Sequence, residues 1–527
     1  MTDELIDAAE TSTRSSFFLM SGTATSTIIL AISSIIIARL LGPDLYGLYT
    51  LALVAPQLLI LFIDLGIDQG IVKFTASLRA KGEINHSISI IRQGLLIKAL
   101  TGTLMFIINY ALADYLASFL FQRPELTFYI RIASTSILFQ VLFTTASSAF
   151  VGLDKTEYTA LTTNINAIAK TIIQITLVLI GFSIAGAIIG HVIGYVAAAI
   201  TSIAILLLIL RPKQNPTNKE KFSDNFKTLV HYGMPLYISV LLSGFIPIFQ
   251  SVILAIFTTD ADIGNYKAAT NFAVLLTVIT APISTALLPA FSKLESSTKE
   301  KIKTFFKLAN KYTALLIVPI ATAIVIFSQE IVQIIYGSTY ESAPLFLATC
   351  SLVYFLVGLG SLTLTSFYNG LGETKTTLKI TLITFTTIIA LTPPLTRAYS
   401  VTGLIIAFLL ASTTGTAYAF YTARKKFNIE FDSKALTKIY AIALASSILP
   451  ILILQTDPLP KYLNLTTAAL LYLITYITLI PATTTINQPE LTTATHVLKK
   501  IKHLKPLINP LIKYQQKILQ INNKPKP

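Results

Sequence analysis

Gly47-Leu48-Tyr49 returns 217 positions later as Gly264-Asn265-Tyr266. Gly152-Leu153 with Thr156 returns at offset 218 as Gly370-Leu371 with Thr374. Ser183, Gly186, Ile188 and Ile189 return at offset 217 as Ser400, Gly403, Ile405 and Ile406. Three matches at nearly one spacing identify a duplication of the first four hundred or so residues. The duplicated unit is apolar: the chain is 53% hydrophobic and only 12% charged, about half the charged fraction of a soluble domain. Its hydrophobic blocks run to roughly twenty residues, enough to cross about 30 Å of hydrocarbon. An internal repeat in such a chain predicts two pseudo-symmetric helical bundles with a substrate site where they meet.

Apolar runs between charged or Pro/Gly-rich breaks give fourteen transmembrane helices and an all-α polytopic fold. The expected organisation is an N-terminal tail (1–16), a six-helix lobe (17–210), a linker (211–231), a second six-helix lobe (232–421), two further spans (437–485) and a basic tail (486–527). Six is even, so the second copy enters the membrane in the same direction as the first, which makes the repeat parallel. With the N-terminus cytoplasmic, most of the forty Lys and Arg fall inside, from Arg79 and Lys81 through the stretches 211–227, 293–311 and 424–438 to the tail. The basic-residue rule then predicts a multi-pass cell-membrane protein with both termini cytoplasmic. The acidic N-terminal residues Asp3, Glu4, Asp7 and Glu10 do not read as a signal peptide.

The net charge of +15 is accordingly a consequence of topology, with membrane lipids and their anionic headgroups as partners and no nucleic acid. Lys499, Lys500, Lys502, Lys505, Lys513 and Lys517 alternate with Leu and Ile, which suits a segment on the inner leaflet, while Pro506 and Pro510 argue against one long helix. The predicted outer loops are short and hold no gathering of carboxylates or histidines, and the chain lacks a Gly-rich phosphate loop, so no enzymatic activity is expected. The lone Cys350 supplies neither a disulfide nor a thiolate metal site, and no metal or cofactor is expected. Asn464-Leu465-Thr466 has the form of a glycosylation acceptor.

Function must then reside in polar groups at membrane depth, where an ionisable side chain costs roughly 2.5–3.5 kcal/mol unless it faces a cavity or a partner. Lys170 lies mid-span, and Thr163, Asn166 and Gln174 join it at helical spacing in one polar stripe. Gln57, Asp64 and Asp68 form another stripe on the second span. Arg39, Lys98, Arg131 and His191 complete the first bundle's polar interior, and the second offers Gln250 and Lys267. These are the candidate cavity residues. Each has a structural alternative. Arg39, Arg131 and Lys267 lie close enough to span ends to snorkel, Asp64 and Asp68 can cap a helix end or pair with Lys170, Lys73 suits the cytoplasmic surface, and His191 can be a packing residue. A cationic, amide-rich interior suits a phosphate-bearing, hydroxyl-rich substrate.

The stretch Ala38-Arg39-Leu40-Leu41-Gly42-Pro43-Asp44-Leu45-Tyr46-Gly47 resembles the first-loop signature of polysaccharide flippases of the multidrug/oligosaccharidyl-lipid/polysaccharide exporter superfamily, and Asp64-Leu65-Gly66-Ile67-Asp68 is similar to their second-span ending. Tyr232-Gly233-Met234-Pro235, Ile263-Gly264-Asn265-Tyr266-Lys267-Ala268, Leu288-Pro289-Ala290-Phe291-Ser292-Lys293-Leu294 and Tyr336-Gly337-Ser338-Thr339-Tyr340 resemble later landmarks in order, so the resemblance spans about residues 15–480. It implies two six-helix lobes in an inverted V that alternates access to a central cavity. It also implies a substrate of oligosaccharide linked to polyprenyl phosphate or diphosphate, moved from the inner to the outer leaflet, with Arg39 at the place of a cavity-lining arginine. Glycan-assembly proteins are the implied protein partners. Two other readings stand beside it: a cation-coupled drug antiporter of the same superfamily, whose cavity should be acidic, and a non-transporting scaffold for glycan-assembly enzymes.

Overall fold

The computed structural model describes residues 2–210, 222–294, 298–456, 460–488, 490–492 and 505–522, and among them there is no strand. Most of the expected linker, including Pro212 and Pro216, and the tail residues Lys499, Lys500 and Lys502 lie outside the described residues. In chain order the helices are α1 (Thr2–Ala52), α2 (Val54–Ile63), α3 (Ile67–Ala80), α4 (Ile84–Tyr115), α5 (Leu126–Gly152), α6 (Thr156–Leu177), α7 (Ser183–Ile209), α8 (Phe222–Phe257) and α9 (Asp260–Ser292). They continue with α10 (Lys299–Ile326), α11 (Ser328–Ile335), α12 (Ala343–Ser351), α13 (Ser361–Gly370), α14 (Thr374–Phe427), α15 (Ser433–Ser446), α16 (Ile448–Thr456), α17 (Lys461–Ala482) and α18 (Lys505–Asn522).

Among the described residues nine helical stretches are long and apolar enough to cross a membrane, or eleven with two bent pairs. Three of them, Phe18–Ile63, Thr156–Ile209 and Thr374–Phe427, run to 46, 54 and 54 residues, more than twice the roughly 20 that one crossing needs. Each breaks near its middle. At Gly42 (φ 75°) the glycine supplies the left-handed turn and Pro43 starts the next helix. Ser183 (φ 48°) and Ser400 (φ 54°) break the other two at equivalent positions of the repeat. Counting each of the three as two crossings is consistent with the fourteen spans of the sequence. Leu100, Leu104, Phe119, Ile172, Leu179 and Ile200 are exposed on the helix surfaces; such an extent of apolar surface is stable against lipid rather than water.

The chain divides into two compact units. The first comprises Met1–Val278, Ile335–Ala343 and Phe385–Phe408; the second comprises Ile279–Ile334, Pro344–Thr384 and Leu409–Pro527. In the first unit the repeat anchors are helix crossings: a Cβ at Gly47 would overlap the Asp260 carbonyl, and one at Gly264 would overlap the Pro43 carbonyl. The two copies of the anchor thus pack reciprocally, backbone against backbone. The second anchor repeats a contact as well. Gly152 lies on Val72 and Thr75 of α3, and Gly370, in the second unit, lies on Leu288 and Phe291 of α9.

In the second unit the two additional spans pack on α10 through Ile317, Val318, Ile439, Ala443 and Tyr476. Pro319 interrupts α10 and cannot donate to the carbonyl four residues back. The Tyr476 hydroxyl donates to that Leu315 carbonyl at 2.8 Å, and Tyr472 donates to the Pro319 carbonyl at 3.0 Å. The extra spans therefore give the Leu315 carbonyl the partner that Pro319 cannot provide, and add a further bond at the Pro319 carbonyl. Asn464, the expected glycosylation acceptor, is buried within α17. That side chain is inaccessible to a glycosylating enzyme in the folded protein, which corrects the motif reading.

The reciprocal crossing carries a prediction. Gly264→Val should lower the melting temperature of the purified protein, by a destabilisation of about 1–3 kcal/mol or more from overpacking. Gly102→Ala, whose Cβ would meet its nearest neighbour at an ordinary 3.5 Å, should melt close to the parent in the same detergent.

Candidate substrate cavity

A cavity of about 390 Å³ opens within the first unit between α1, α2, α6, α8 and α9. Of the expected site residues, Gln57, Lys170, Gln174 and Lys267 line it. Lys170 comes from the fifth span of the first copy and Lys267 from the second span of the second copy. No carboxylate stands among the lining residues described.

Local packing explains why Lys170 reaches the cavity. On α7, Gly190 and Gly194 lie one turn apart, and any side chain there would collide with Gln174 and Lys170 of α6. Their absence leaves a groove that seats the stems of both. Gln174 then donates from Nε2 to the Ala187 carbonyl at 2.6 Å and to the Tyr49 hydroxyl at 2.9 Å. Ser33 donates to Gln174 Oε1 at 3.4 Å. Opposite, Asn271 on α9 donates to Ser34 Oγ at 2.8 Å and to the Tyr46 hydroxyl at 2.7 Å. Lys267 donates from Nζ to Ser251 Oγ at 3.0 Å, whereas Lys170 makes no hydrogen bond or ion pair among the described residues. The walls mix apolar side chains such as Leu30, Ile37 and Val274 with neutral hydroxyls and amides, several of which satisfy one another, and the two ammonium groups retain donors for a ligand.

Tyr46, Tyr49, Ser33, Ser34, Asn271 and Ser251 were not among the candidate cavity residues, although Tyr49 belongs to a repeat anchor and Tyr46 to the first-loop stretch. For some of them the spacing is a signal: Ser33 and Ser34 sit about two helical turns inside the end of the first span, and Asn271 follows Lys267 by four residues, on the same face of α9.

Asp64, Asp68 and Lys98 form a separate cluster. Lys98 Nζ lies 2.5 Å from Asp64 Oδ1 and 3.2 Å from Asp68 Oδ2, and its side chain is only 2% exposed. Thr145 donates to Asp68 Oδ1 at 2.9 Å. The cluster sits where α2 gives way to α3 through Leu65 (φ 47°) and Gly66 (φ 80°). Asp64 Oδ1 also accepts from the Asp68 backbone N–H at 3.3 Å, at the first turn of α3. The carboxylates therefore serve Lys98, and the pairing with Lys170 is not formed.

The remaining candidates stand away from the cavity lining. Asn166 and His191 are buried on α6 and α7, with Asn166 Nδ2 and His191 Nδ1 unpartnered among the described residues. His191 packs edge-on against Tyr195. Gln250 is buried beside the lining residue Ser251. Arg39 is exposed on α1 and is not a lining residue in this state. Arg131 is exposed and lies over the Tyr110 ring at 5.6 Å.

Helices flanking the cavity touch beyond both of its ends. On the side of Arg79 and Lys81, Gly66 meets the Gly233 backbone, Tyr237 donates to the Leu61 carbonyl at 2.8 Å, and Lys73 Nζ sits 3.6 Å from the Tyr232 ring centre. On the other side the Gly47·Gly264 crossing is joined by Arg123, from the connection between α4 and α5. Its Nε donates to Asp260, and its terminal nitrogens donate to the Ala255 carbonyl at 2.6 Å and the Thr258 carbonyl at 2.9 Å. The cavity lies between two interlocked crossings.

The fold is shared with solved structures of membrane transporters. A structure described as the lipid II flippase MurJ in an inward closed conformation is similar with a TM-score of 0.72 at 18% identity, over 88% of this chain and 98% of that one. An inward-facing multidrug resistance MATE family transporter is similar with a TM-score of 0.65 at 13% identity, over 76% and 94%. A MOP superfamily transporter from Pyrococcus furiosus, described as having a binding pocket of reverse polarity, gives 0.53 at 14% identity, over 79% and 95%. No curated protein matches the sequence. The chain belongs to the polysaccharide biosynthesis protein family, whose model matches residues 12–295.

The contrast between the two lysines is testable by thermal unfolding. Lys98→Met should destabilise by as much as about 3 kcal/mol, because it strands two partly buried carboxylates, Asp64 at 26% and Asp68 at 15% side-chain exposure, and adding Asp64→Asn and Asp68→Asn should recover most of that loss. Lys170→Met removes a cation with no partner to strand and should leave the melting temperature unchanged or higher.

Proposed function

We propose that this protein is a flippase that moves an oligosaccharide linked to polyprenyl phosphate or diphosphate from the cytoplasmic to the outer leaflet by alternating access, in the assembly of a surface polysaccharide or other glycan. The observation that carries the reading is the cavity itself: Lys170 and Lys267 enter it from the two copies of the repeat, and no carboxylate lines it among the described residues. An ammonium attracts phosphate by charge and by up to three hydrogen bonds. The amides and hydroxyls around the lysines match the hydroxyl-rich part of such a substrate. The polyprenyl tail stays in lipid while the headgroup occupies the cavity.

The movement we envisage is rocking of residues of about 15–210 against those of about 225–421. A ligand shifts the balance of states only through its different affinity for each. A phosphate bound by one lysine from each copy has that property, because rocking changes the distance between the two cations. Opening toward the side of Arg79 requires parting Gly66 from Gly233; opening toward the other side requires release of the Arg123 clamp. On the basic-residue rule the first side is cytoplasmic. Family membership is consistent with this role, and nothing in the reading calls for catalysis by the chain.

A cation-coupled antiporter would need acidic groups in the cavity, and its best candidates, Asp64 and Asp68, are engaged by Lys98. A scaffold would need no cavity charge at all.

The test is a proteoliposome assay that times exposure of a polyprenyl-diphosphate oligosaccharide on the opposite leaflet. Loss of a charge-assisted hydrogen bond costs roughly 1.5–3 kcal/mol, so Lys170→Met and Lys267→Met should each slow exposure roughly ten- to a hundredfold in folded protein. Unchanged rates in both variants, or exchange of a lipophilic cation in place of the lipid, would reject the reading.

A further inference from the structure

The carboxyl-terminal segment is the most basic part of the chain and has no place in the transport reading. Residues 491–527 contain eight lysines and two histidines, with no Asp or Glu. Within it α18 is amphipathic in three dimensions as well as in sequence. Gln515 and Leu519, one turn apart, are buried at 8% and 3% exposure. Leu519 packs with Leu491 and Ile486. Lys513 and Lys517, also one turn apart, are exposed; at 100° per residue they lie on the opposite face of the helix.

The depth of α18 is fixed by one hydrogen bond. The Tyr514 hydroxyl lies 2.9 Å from Thr478 Oγ1, and Thr478 is four residues from the end of α17. At 1.5 Å per residue that is about 6 Å inside the end of a membrane span, the level at which acyl chains meet headgroups. A helix held there, with Leu519 and Gln515 turned inward and Lys513 and Lys517 outward, is placed as an in-plane interfacial helix is.

The segment on which α18 rests is tied in turn to the second unit's core. Glu490 precedes Leu491, and both of its carboxylate oxygens accept from Lys311 Nζ at 2.8 Å. Lys311 lies on α10 and is almost buried. A continuous path of contacts thus runs from α18 to α10 through Leu519, Leu491 and the Glu490–Lys311 pair.

We propose that the outward face of α18, with Lys513 and Lys517, is a binding surface for anionic phospholipid headgroups, and that lipid bound there stabilises the protein through the Glu490–Lys311 connection. The argument for lipid over an acidic protein or a soluble polyanion is the depth of the helix. This inference does not depend on the substrate of the cavity.

The experiment is thermal unfolding of the full-length protein while phosphatidylglycerol replaces phosphatidylcholine in mixed micelles. The parent should gain stability as the anionic fraction rises, and the gain should shrink with salt. Each lysine near an anionic surface contributes enough for a several-fold change in affinity. Lys513→Gln/Lys517→Gln should therefore need at least a threefold higher anionic fraction for the same gain. It should melt like the parent in phosphatidylcholine alone, and Lys513→Arg/Lys517→Arg should behave as the parent does. An equal gain in parent and double Gln variant, an equal gain from phosphatidylcholine, or full replacement of the lipid by water-soluble glycerophosphoglycerol would each overturn the proposal.

Discussion

Charge at membrane depth is the constraint on which the rest of this structure turns. An unpaired ammonium there costs several kilocalories per mole, and the chain meets the cost in two different ways. Lys98 within the spans, and Lys311 nearer the polar end of α10, are neutralised by carboxylates, at distances of 2.5–3.2 Å, from residues far away in sequence. Both are structural ties. Lys170 and Lys267 are surrounded by neutral donors and acceptors, and they open onto a cavity of about 390 Å³. A charge that the fold could have paired and did not is available to a ligand, and the proposal for this protein rests on that distinction.

The glycine crossings give the charges their setting. Gly47 and Gly264 allow equivalent segments of the repeat to meet backbone to backbone on one side of the cavity, and Gly66 and Gly233 do the same on the other. Contacts of this kind have no adaptable side chain between them, so they are either made or broken. That property suits a protein that alternates between states. Arg123 adds a polar clamp to one of the two crossings, with hydrogen bonds to the end of α8 and the start of α9.

Much of this was legible in the sequence because hydrophobic length and repetition survive without three-dimensional information. The anchors were read as marks of a duplication, and the structure places Gly47 and Gly264 at a helix crossing and Ser183 and Ser400 at the breaks of two double-length helices. Gln57, Lys170 and Gln174 were legible as polar groups at helical spacing within apolar spans, and Lys267 as a cation near a span end. What could not be read was partnership. Asp64 and Asp68 share a face with Gln57, yet the break at Leu65 and Gly66 turns them to Lys98. Tyr46, Tyr49 and Asn271 look like ordinary span residues until the helices carrying them are packed together. Asn464 satisfied a motif that takes no account of burial.

The most direct test of the account is the equilibrium affinity of the purified protein for a short-chain polyprenyl diphosphate relative to the corresponding neutral polyprenol. If the two unpaired lysines form the binding site, the diphosphate should bind at least a hundredfold more tightly, and Lys170→Met/Lys267→Met should bring the two affinities together. Equal affinities in the parent protein, or a preference for the diphosphate that survives loss of both lysines, would contradict it.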